Sequence, residues 1–423
     1  MIFYKENNFK ETPIGKAPND WKIVGLAEVS EVRPGKSKDS INAKEAAFIP
    51  MELIPEDSIY TSFEMKELSK VSSCTYCETG DLLLAKITPS LENGKQVIVP
   101  ETVPDGFALA TTEVFPIICK NIDKMFLFHL LKFQKYRRVL ENSMRATTGR
   151  LRVPKDALLD MKVSLPQSLE EQRKIGQVLS TVDEAIQKSD EIVAKTERLK
   201  KGLMQELLTK GIGHREFKDT EIGRIPKNWE VARLGDMGEF QYGVTASAIK
   251  ENTGVKLLRI TDITNQGIEW EAVPYCNVTE SEVSKYRLKI GDILFARIGA
   301  TTGKTCYIDR SIKGVFGSYL IKFRPTVKLV TSFLHFYTQS GTYWSQVNRR
   351  KEGQLKKGLN IVTLGSLLFP FPTAMEQQKI AKILLTVDKK LELERNEKTR
   401  LERIKQGLMD LLLTGRVRVK VIA

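Results

Sequence analysis

The sequence predicts an α+β protein. Two α/β globular domains are joined by two long helices forming an antiparallel coiled coil, the whole a pseudo-twofold internal repeat. Three observations predict it: a duplication spanning the chain, heptads at two matching places, and basic charge concentrated outside those heptads.

The duplication comes first, because a missed repeat misreads the architecture. "FKETPIGKAPNDWKIVGL" from Phe9 recurs as "FKDTEIGRIPKNWEVARL" from Phe217, and "GDLLLAKI" from Gly80 recurs as "GDILFARI" from Gly291. "EEQRKIGQVLSTVDEAI" from Glu170 recurs as "MEQQKIAKILLTVDKKL" from Met375, and "GLMQELLT" from Gly202 as "GLMDLLLT" from Gly407. These landmarks set an N-terminal segment at 1–20, a globular domain at 21–166 and a helical spacer at 167–211. A linker at 212–228 repeats the N-terminal segment, and a second domain at 229–371, a second spacer at 372–416 and a tail at 417–423 follow. Between the landmarks the domains diverge, so similar frames carry different contents.

The spacers are helices by their period. Ile175, Leu179, Val182, Ile186, Val193, Thr196, Leu203 and Leu207 alternate four- and three-residue steps, as do Ile380, Leu384, Val387, Leu391, Leu401, Leu408 and Leu412. Ser189, Glu394 and Lys398 are polar slots in these seams. Ser168 with Glu171, and Thr373 with Glu376, have capping-box spacing behind Pro166 and Pro372, and Gly211 and Gly415 stand where a stop belongs. Antiparallel pairing of the two spacers is the economical arrangement; a parallel homodimeric coil is the alternative. Gly202 and Gly407, inside the pattern, cost about 1 kcal/mol each against alanine, which predicts close approach by another backbone. Within the domains the patterns predict strands at 82–88, 293–298 and 318–324, and helices near 122–142 and 330–349.

Charge separates the parts. The formal net charge is +14; residues 168–210 balance at zero and residues 374–416 at +3, leaving +11 for the remainder. A chain this basic is expected to meet a polyanion through its globular domains. No apolar run reaches a membrane span, and the N-terminus lacks signal-peptide character. Five cysteines without framework spacing point to a reducing cytoplasm. Cys74 and Cys77 have CxxC spacing, but no second pair or histidine cluster completes a metal site, so none is expected.

The stretch "FARIGATTGKT" ends like a phosphate-binding loop, yet Gly299 and Gly303 enclose three residues where four are needed, and "TCYIDRS" continues as strand and turn. It reads instead as a basic hairpin finger fit for a groove or a phosphate backbone. Its candidates for base or phosphate contact are Arg297, Thr301 and Lys304, matched upstream by Lys86 and Lys95. The early loops "RPGKSKDS" and "QYGVTASAIK" add Lys36, Lys38, Gln241 and Thr245, with Arg259 shortly after. The late loops "RATTGRLR" and "RRKEGQLKKGLN" add Arg145, Thr148, Arg150, Arg152, Arg349, Arg350, Gln354, Lys356 and Lys357. These side chain types read base edges or bind phosphates.

Taken together, the duplicated "EQ(R/Q)KI…TVD" helix, the "GLM…LLT" end, the "F-K-x-T-x-I-G" lead-in and the "GD(I/L)L" strand resemble the specificity subunit of Type I restriction–modification systems. The resemblance covers essentially the whole chain. It implies two target-recognition domains, each reading one half of a bipartite, asymmetric double-stranded DNA site, with helices that set the spacing. It also implies docking of two modification subunits that use S-adenosylmethionine to methylate adenine. Restriction subunits using ATP and Mg would complete the assembly. The chain itself would have no catalytic site, cofactor or membrane contact. Gln172, Gly202, Gln377 and Gly407 are the expected subunit contacts. The first half departs from the family's pattern at "ITPSLENG", where the glycine-led loop is altered. A coiled-coil-linked protein-binding adaptor stays open as the alternative, although it needs neither the net charge nor the basic loops.

Overall fold

The computed structural model describes residues 2–36, 41, 43–147, 149–264, 267–325, 329–351 and 358–420. The chain forms two compact units, Met1–Val193 with Glu394–Ala423, and Ala194–Leu393. Two long helices, Leu169–Thr209 and Ala374–Leu412, each contribute one half to each unit.

In the first unit an antiparallel sheet runs in the order Gln96–Ile98, Leu82–Ala85, Val114–Cys119, Ser30–Val32. Leu82–Ala85 is buried throughout, as a strand covered on both faces must be. Side chains alternate across a strand. Leu82 and Leu84 therefore join the core built with Phe126, Leu130 and Ile175, while Leu83 joins Val97, Val99 and Ala110 on the other face. A second sheet orders Glu64–Glu67, Glu45–Ile49, Phe107–Ala110 and Thr75–Glu78, its middle pair parallel.

The second unit repeats this plan: Gly238–Tyr242, Leu320–Pro325, Ile293–Ala296 and Thr305–Tyr307 form the antiparallel sheet. Ile293 and Phe295 face one core, Leu294 and Ala296 the other. The parallel pair survives as Lys256–Leu258 with Gly314–Phe316.

The repeated Gly-Asp before each central strand has a physical cause. Gly80 and Gly291 hold φ of +87° and +93°, a region open to glycine. Each following carboxylate is buried and closes its own turn, Asp81 accepting from Glu78 N and Asp292 from Lys289 N, both at 2.8 Å. Each is then forked by an arginine from another strand or its end, Arg33 at 2.5 and 2.8 Å and Arg324 at 2.8 and 2.7 Å.

The domain helices are shorter than their apolar period predicts. One breaks into Lys124–Lys132 and Gln134–Ser143 because Phe133 turns extended and buries its ring; the other breaks into Thr331–Tyr337 and Gly341–Lys351. The central strands also end early, at Ala85 and Ala296, where the chain leaves for the basic loops.

Each unit pairs its helix halves antiparallel. In the first, Asp183 meets Lys405 and Asp190 meets Lys398: seven residues down one helix is seven residues up the other. In the second, Lys200 meets Asp388 at 2.6 Å. The polar seam slot at Lys398 is thus filled by an ion pair, and Ser189 is buried. Gly211 and Gly415 end the helices at φ of +66° and +70°.

The helix starts are less symmetric than a capping box. Ser168 Oγ and Thr373 Oγ1 accept from Glu171 N and Glu376 N at 3.4 Å, but the glutamates turn elsewhere. Glu376 accepts from Trp229 Nε1 at 2.9 Å, from Ile212 N at 3.0 Å, and faces His214 Nε2 at 2.7 Å. Glu171 instead takes the Arg418 guanidinium, which also reaches Asp20 and Glu6. Arg418 lies on Val417–Val419, which pairs antiparallel with Phe3–Lys5, so the two chain ends are stitched together. The cluster holds the Asp20 carboxyl below its usual range through the Arg418 hydrogen bond.

Gln172 and Gln377, two of the expected subunit contacts, are buried and bonded inside the chain. Gln172 accepts from Asp123 N at 2.9 Å and donates to Pro166 O at 2.8 Å; Gln377 accepts from Val330 N at 2.8 Å and donates to Pro372 O at 2.9 Å. Each amide therefore clamps the start of a domain helix to the start of a spacer. The close approach expected at Gly202 and Gly407 is also absent: both are exposed, and a Cβ on either would meet nothing within 4 Å. The spacer glycine that needs its size is Gly176, where a Cβ would lie 2.8 Å from Met125 Cβ and 2.9 Å from Phe126 N.

His129, buried, and His335, half-buried, lie one in each pair of domain helices, each with Nδ1 unpartnered among the described residues. Burial lowers their pKa values to about 3 and about 4. For His129 the nearby Asp183 does not offset this, because Lys405 already pairs with it.

Two outcomes are expected. Gln172→Ala or Gln377→Ala leaves a buried N–H and a carbonyl unpaired, and should cost about 1–3 kcal/mol in urea unfolding; a change below experimental error would show that the clamp carries no strain. Unfolded histidine protonates near pH 6.5, whereas the folded imidazoles stay neutral far below that. The unfolded chain therefore binds more protons across this window, and stability should fall as pH drops from about 6.5 towards 4. The paired variant His129→Asn with His335→Asn should flatten the urea-midpoint profile there, and an unchanged slope would refute the assignment.

Candidate nucleic-acid interface

The loop that resembles a phosphate cradle is a turn between antiparallel strands. Gly299 and Gly303 take φ of +78° and +95°, Thr302 Oγ1 donates back to Gly299 O, and Thr305–Tyr307 returns along Ile293–Ala296. No helix follows it, so its N–H groups do not converge as a phosphate site requires.

Both domains hold one cation in the same main-chain frame just beyond the central strand. In the second, Arg297 N donates to Tyr319 O at 3.0 Å and Leu359 N donates to Arg297 O at 2.8 Å. In the first, Lys86 N donates to Glu113 O at 3.0 Å and Val153 N donates to Lys86 O at 2.8 Å. The bonds are backbone to backbone, so the frame is indifferent to the side chains mounted on it.

Those side chains differ. Lys86 lies 5.2 Å from the Phe115 ring centre, and burial pushes its ammonium below the usual range. Beside it Arg152 forks Glu113 at 2.9 and 2.8 Å, a hydrogen bond that lowers the Glu113 pKa. In the second domain Tyr319 and Gly358 replace this acid–base pair, and Arg297 lies 5.0 Å from the Tyr242 ring centre. Tyr242 and Tyr319 are both exposed.

The remaining candidates sort by what they touch. Arg145 and Arg150 are exposed on the hairpin formed by Arg145–Thr147 and Arg150–Arg152, which turns at Gly149 with φ of +79°. Lys36 is exposed and reaches over Tyr76; Thr245 and Arg349 are exposed. Thr301 and Lys304 are half-buried in the finger. Several candidates bond groups of their own chain. Lys95 Nζ donates to Met51 O, Gln241 to Lys285 O, Arg259 forks Asp262, and Arg350 donates to Ser366 and Gln346. Lys38, Thr148, Gln354, Lys356 and Lys357 lie outside the described residues. Tyr242, Tyr319 and Glu113 were missed by sequence reasoning. Tyr242 stood in a quoted loop, whereas nothing marked the other two.

Cys77 is buried, and burial pushes its thiol up well past the usual range, away from thiolate chemistry. Among the described residues no three His, Cys, Asp or Glu side chains gather for a metal, and no helix is long and apolar enough to cross a membrane.

A family model for the Type I restriction modification DNA specificity domain matches residues 18–196 and again 226–403. The chain is 29% identical to the putative type I restriction enzyme MjaX specificity subunit of Methanocaldococcus jannaschii, with 99% of each covered. It is 28% identical to the MjaVIII specificity subunit of the same organism, covering 99% of this chain and 98% of that one. Among solved structures, the S subunit of a Type I restriction-modification system from M. genitalium matches with a TM-score of 0.60 at 14% identity, covering 97% of this chain and 100% of that one.

Proposed function

The chain belongs to the Type I restriction modification DNA specificity family, and on that premise we propose that each of its two domains reads one half of a bipartite, asymmetric site in double-stranded DNA. The observation that carries this is the repeated frame: one cation at the same backbone position in each domain, with unlike surroundings. Identical surroundings would read a symmetric site; unlike ones read two different half-sites. The readers proposed are Lys86, the Arg145–Arg152 hairpin and Lys36 in the first domain, and Arg297, Thr301, Lys304, Thr245 and Arg349 in the second. Such groups discriminate bases by about 1–3 kcal/mol per good bidentate contact, while contacts to phosphate supply salt-dependent affinity.

The chain would perform no chemistry of its own. Two modification subunits would bring S-adenosylmethionine and methylate adenine, and restriction subunits would bring ATP and Mg, in the cytoplasm. The exposed outer faces of the spacers, including Gly202 and Gly407 with open space above them, are proposed to receive partner helices. The domain divisions at 21–166 and 229–371 are proposed as the two recognition modules.

Co-expression with the modification partner, followed by mapping of methylated adenines, should return one bipartite motif with unlike halves. The same complex should bind duplex DNA in a salt-dependent manner. A chain that binds protein partners yet leaves DNA unshifted and unmethylated would establish the adaptor instead. The spacers are proposed to act as a ruler. Four residues inserted at matched positions in both add about 6 Å of rise, near two base pairs at about 3.4 Å each. The mapped motif should then keep both halves and widen its gap; altered halves with an unchanged gap would refute the ruler.

A further inference from the structure

Arg297 is one of several half-buried arginines that fork no carboxylate; Arg137, with Nε and Nη2 buried and unpartnered among the described residues, and Arg350, which bonds Ser366, are others. Arg33, Arg152 and Arg324 each fork a carboxylate. Arg297 has no carboxylate partner among the described residues. Its Nε is buried and unpartnered, and its Nη1 reaches only Ser318 O, at 3.5 Å. Only Nε is withdrawn from water; the terminal nitrogens of this half-buried side chain stay open to an outside acceptor.

Its mounting is rigid. Main-chain bonds hold Arg297 on both sides, the Tyr242 ring supports the cation, and Tyr242 Oη accepts from Ile361 N at 3.4 Å. Four residues on, Thr301 Oγ1 is likewise buried without a partner. Exposed Tyr319 flanks the position. The finger thus presents a braced, planar guanidinium whose two terminal nitrogens form a two-donor fork. The edge it fits is a coplanar pair of acceptors, and among the major-groove edges of DNA that pair is O6 and N7 of guanine. A phosphate would also accept from the fork, but it needs no fixed plane and is served by the exposed arginines elsewhere.

We propose that Arg297, held by Tyr242, is the guanine-reading residue of the second domain, so that the half-site read by this domain contains a guanine at one required position. The matching position of the first domain has no such fork: Lys86 stands there, and the neighbouring Arg152 is spent on Glu113. This inference rests on the DNA-reading function proposed above.

The test compares Arg297→Lys with wild type in the complex with the modification partner. Lysine keeps the charge and removes the planar fork. Methylated-site mapping should show discrimination at one guanine, in one half-site, falling about tenfold or more, with the other half-site and the salt dependence of binding unchanged. A motif retained in full by Arg297→Lys would overturn the proposal and make the residue a phosphate contact, as would a wild-type motif with no required guanine in either half. Thr301→Val, which alters the same finger without touching the cation, should weaken the same half-site only; an effect on the other half would also count against it. Failure of the broader reading has a different signature: wild-type complex that methylates no specific sequence.

Discussion

A buried glutamine in the first turn of each spacer helix is the constraint on which the rest of the structure depends. A helix start and the strand running into it leave main-chain groups that water would normally satisfy. Here they are buried, and Gln172 and Gln377 satisfy them across elements: the amide oxygen takes an N–H from the domain helix, and the amide nitrogen gives to the proline carbonyl ahead of the spacer. A domain cannot turn against its half of the spacers without leaving these groups unpaired in an apolar setting. Within each unit the basic loops inherit their orientation from that one amide, through the domain helix and the sheet packed beneath it.

The glutamate next to each glutamine meets the same demand with different chemistry. In the second unit the chain is continuous, and Glu376 is satisfied by neutral or titratable donors on the linker: Trp229, His214 and the Ile212 amide. In the first unit the corresponding partner arrives from the far end of the chain, and Arg418 takes the place of His214. A guanidinium buried there must recover its lost hydration, which explains why it draws on Glu171, Asp20 and Glu6 together. Since Arg418 occupies Glu171, Trp21 lies near the cation with its Nε1 unpartnered among the described residues, whereas Trp229 donates to Glu376. A covalent linker in one half is replaced in the other by a strand pair and an ion cluster.

The architecture was legible in the sequence because it rests on periodic and repeated signals. The seam at Ile175, Leu179, Ile380 and Leu384 is buried as its spacing requires, and the Gly-Asp landmarks mark turns that only glycine enters easily. For polar residues, sequence shows that a group can bond, not where its partner lies. Gln172 and Gln377 bond within the chain as clamps, and Arg350 and Lys95 donate to carbonyls of their own domain. Gly202 and Gly407 recur without any close approach in this chain, whereas the glycine under a packing constraint, Gly176, has alanine as its counterpart at Ala381. The Glu113–Arg152 pair joins positions far apart in sequence, so no local pattern could disclose it.

The division between frame and reader explains how two domains of common plan can differ so widely between landmarks. The position held by Lys86 and Arg297 is anchored by main-chain bonds alone, and such bonds form with any residue but proline as donor. Exchanging the side chain leaves the sheet and the clamp intact, so a change of reader carries little risk to the fold. What must change in concert is the immediate lining. A forked Glu113–Arg152 pair accompanies a lysine, while Tyr242 beneath and Tyr319 beside accompany an arginine left free to bond outward. The first domain has Pro34 in register with Tyr242, and proline offers no aromatic face for a planar cation. The two positions therefore differ as small groups of neighbouring residues rather than as single side chains, each group carried on a backbone that does not distinguish among them.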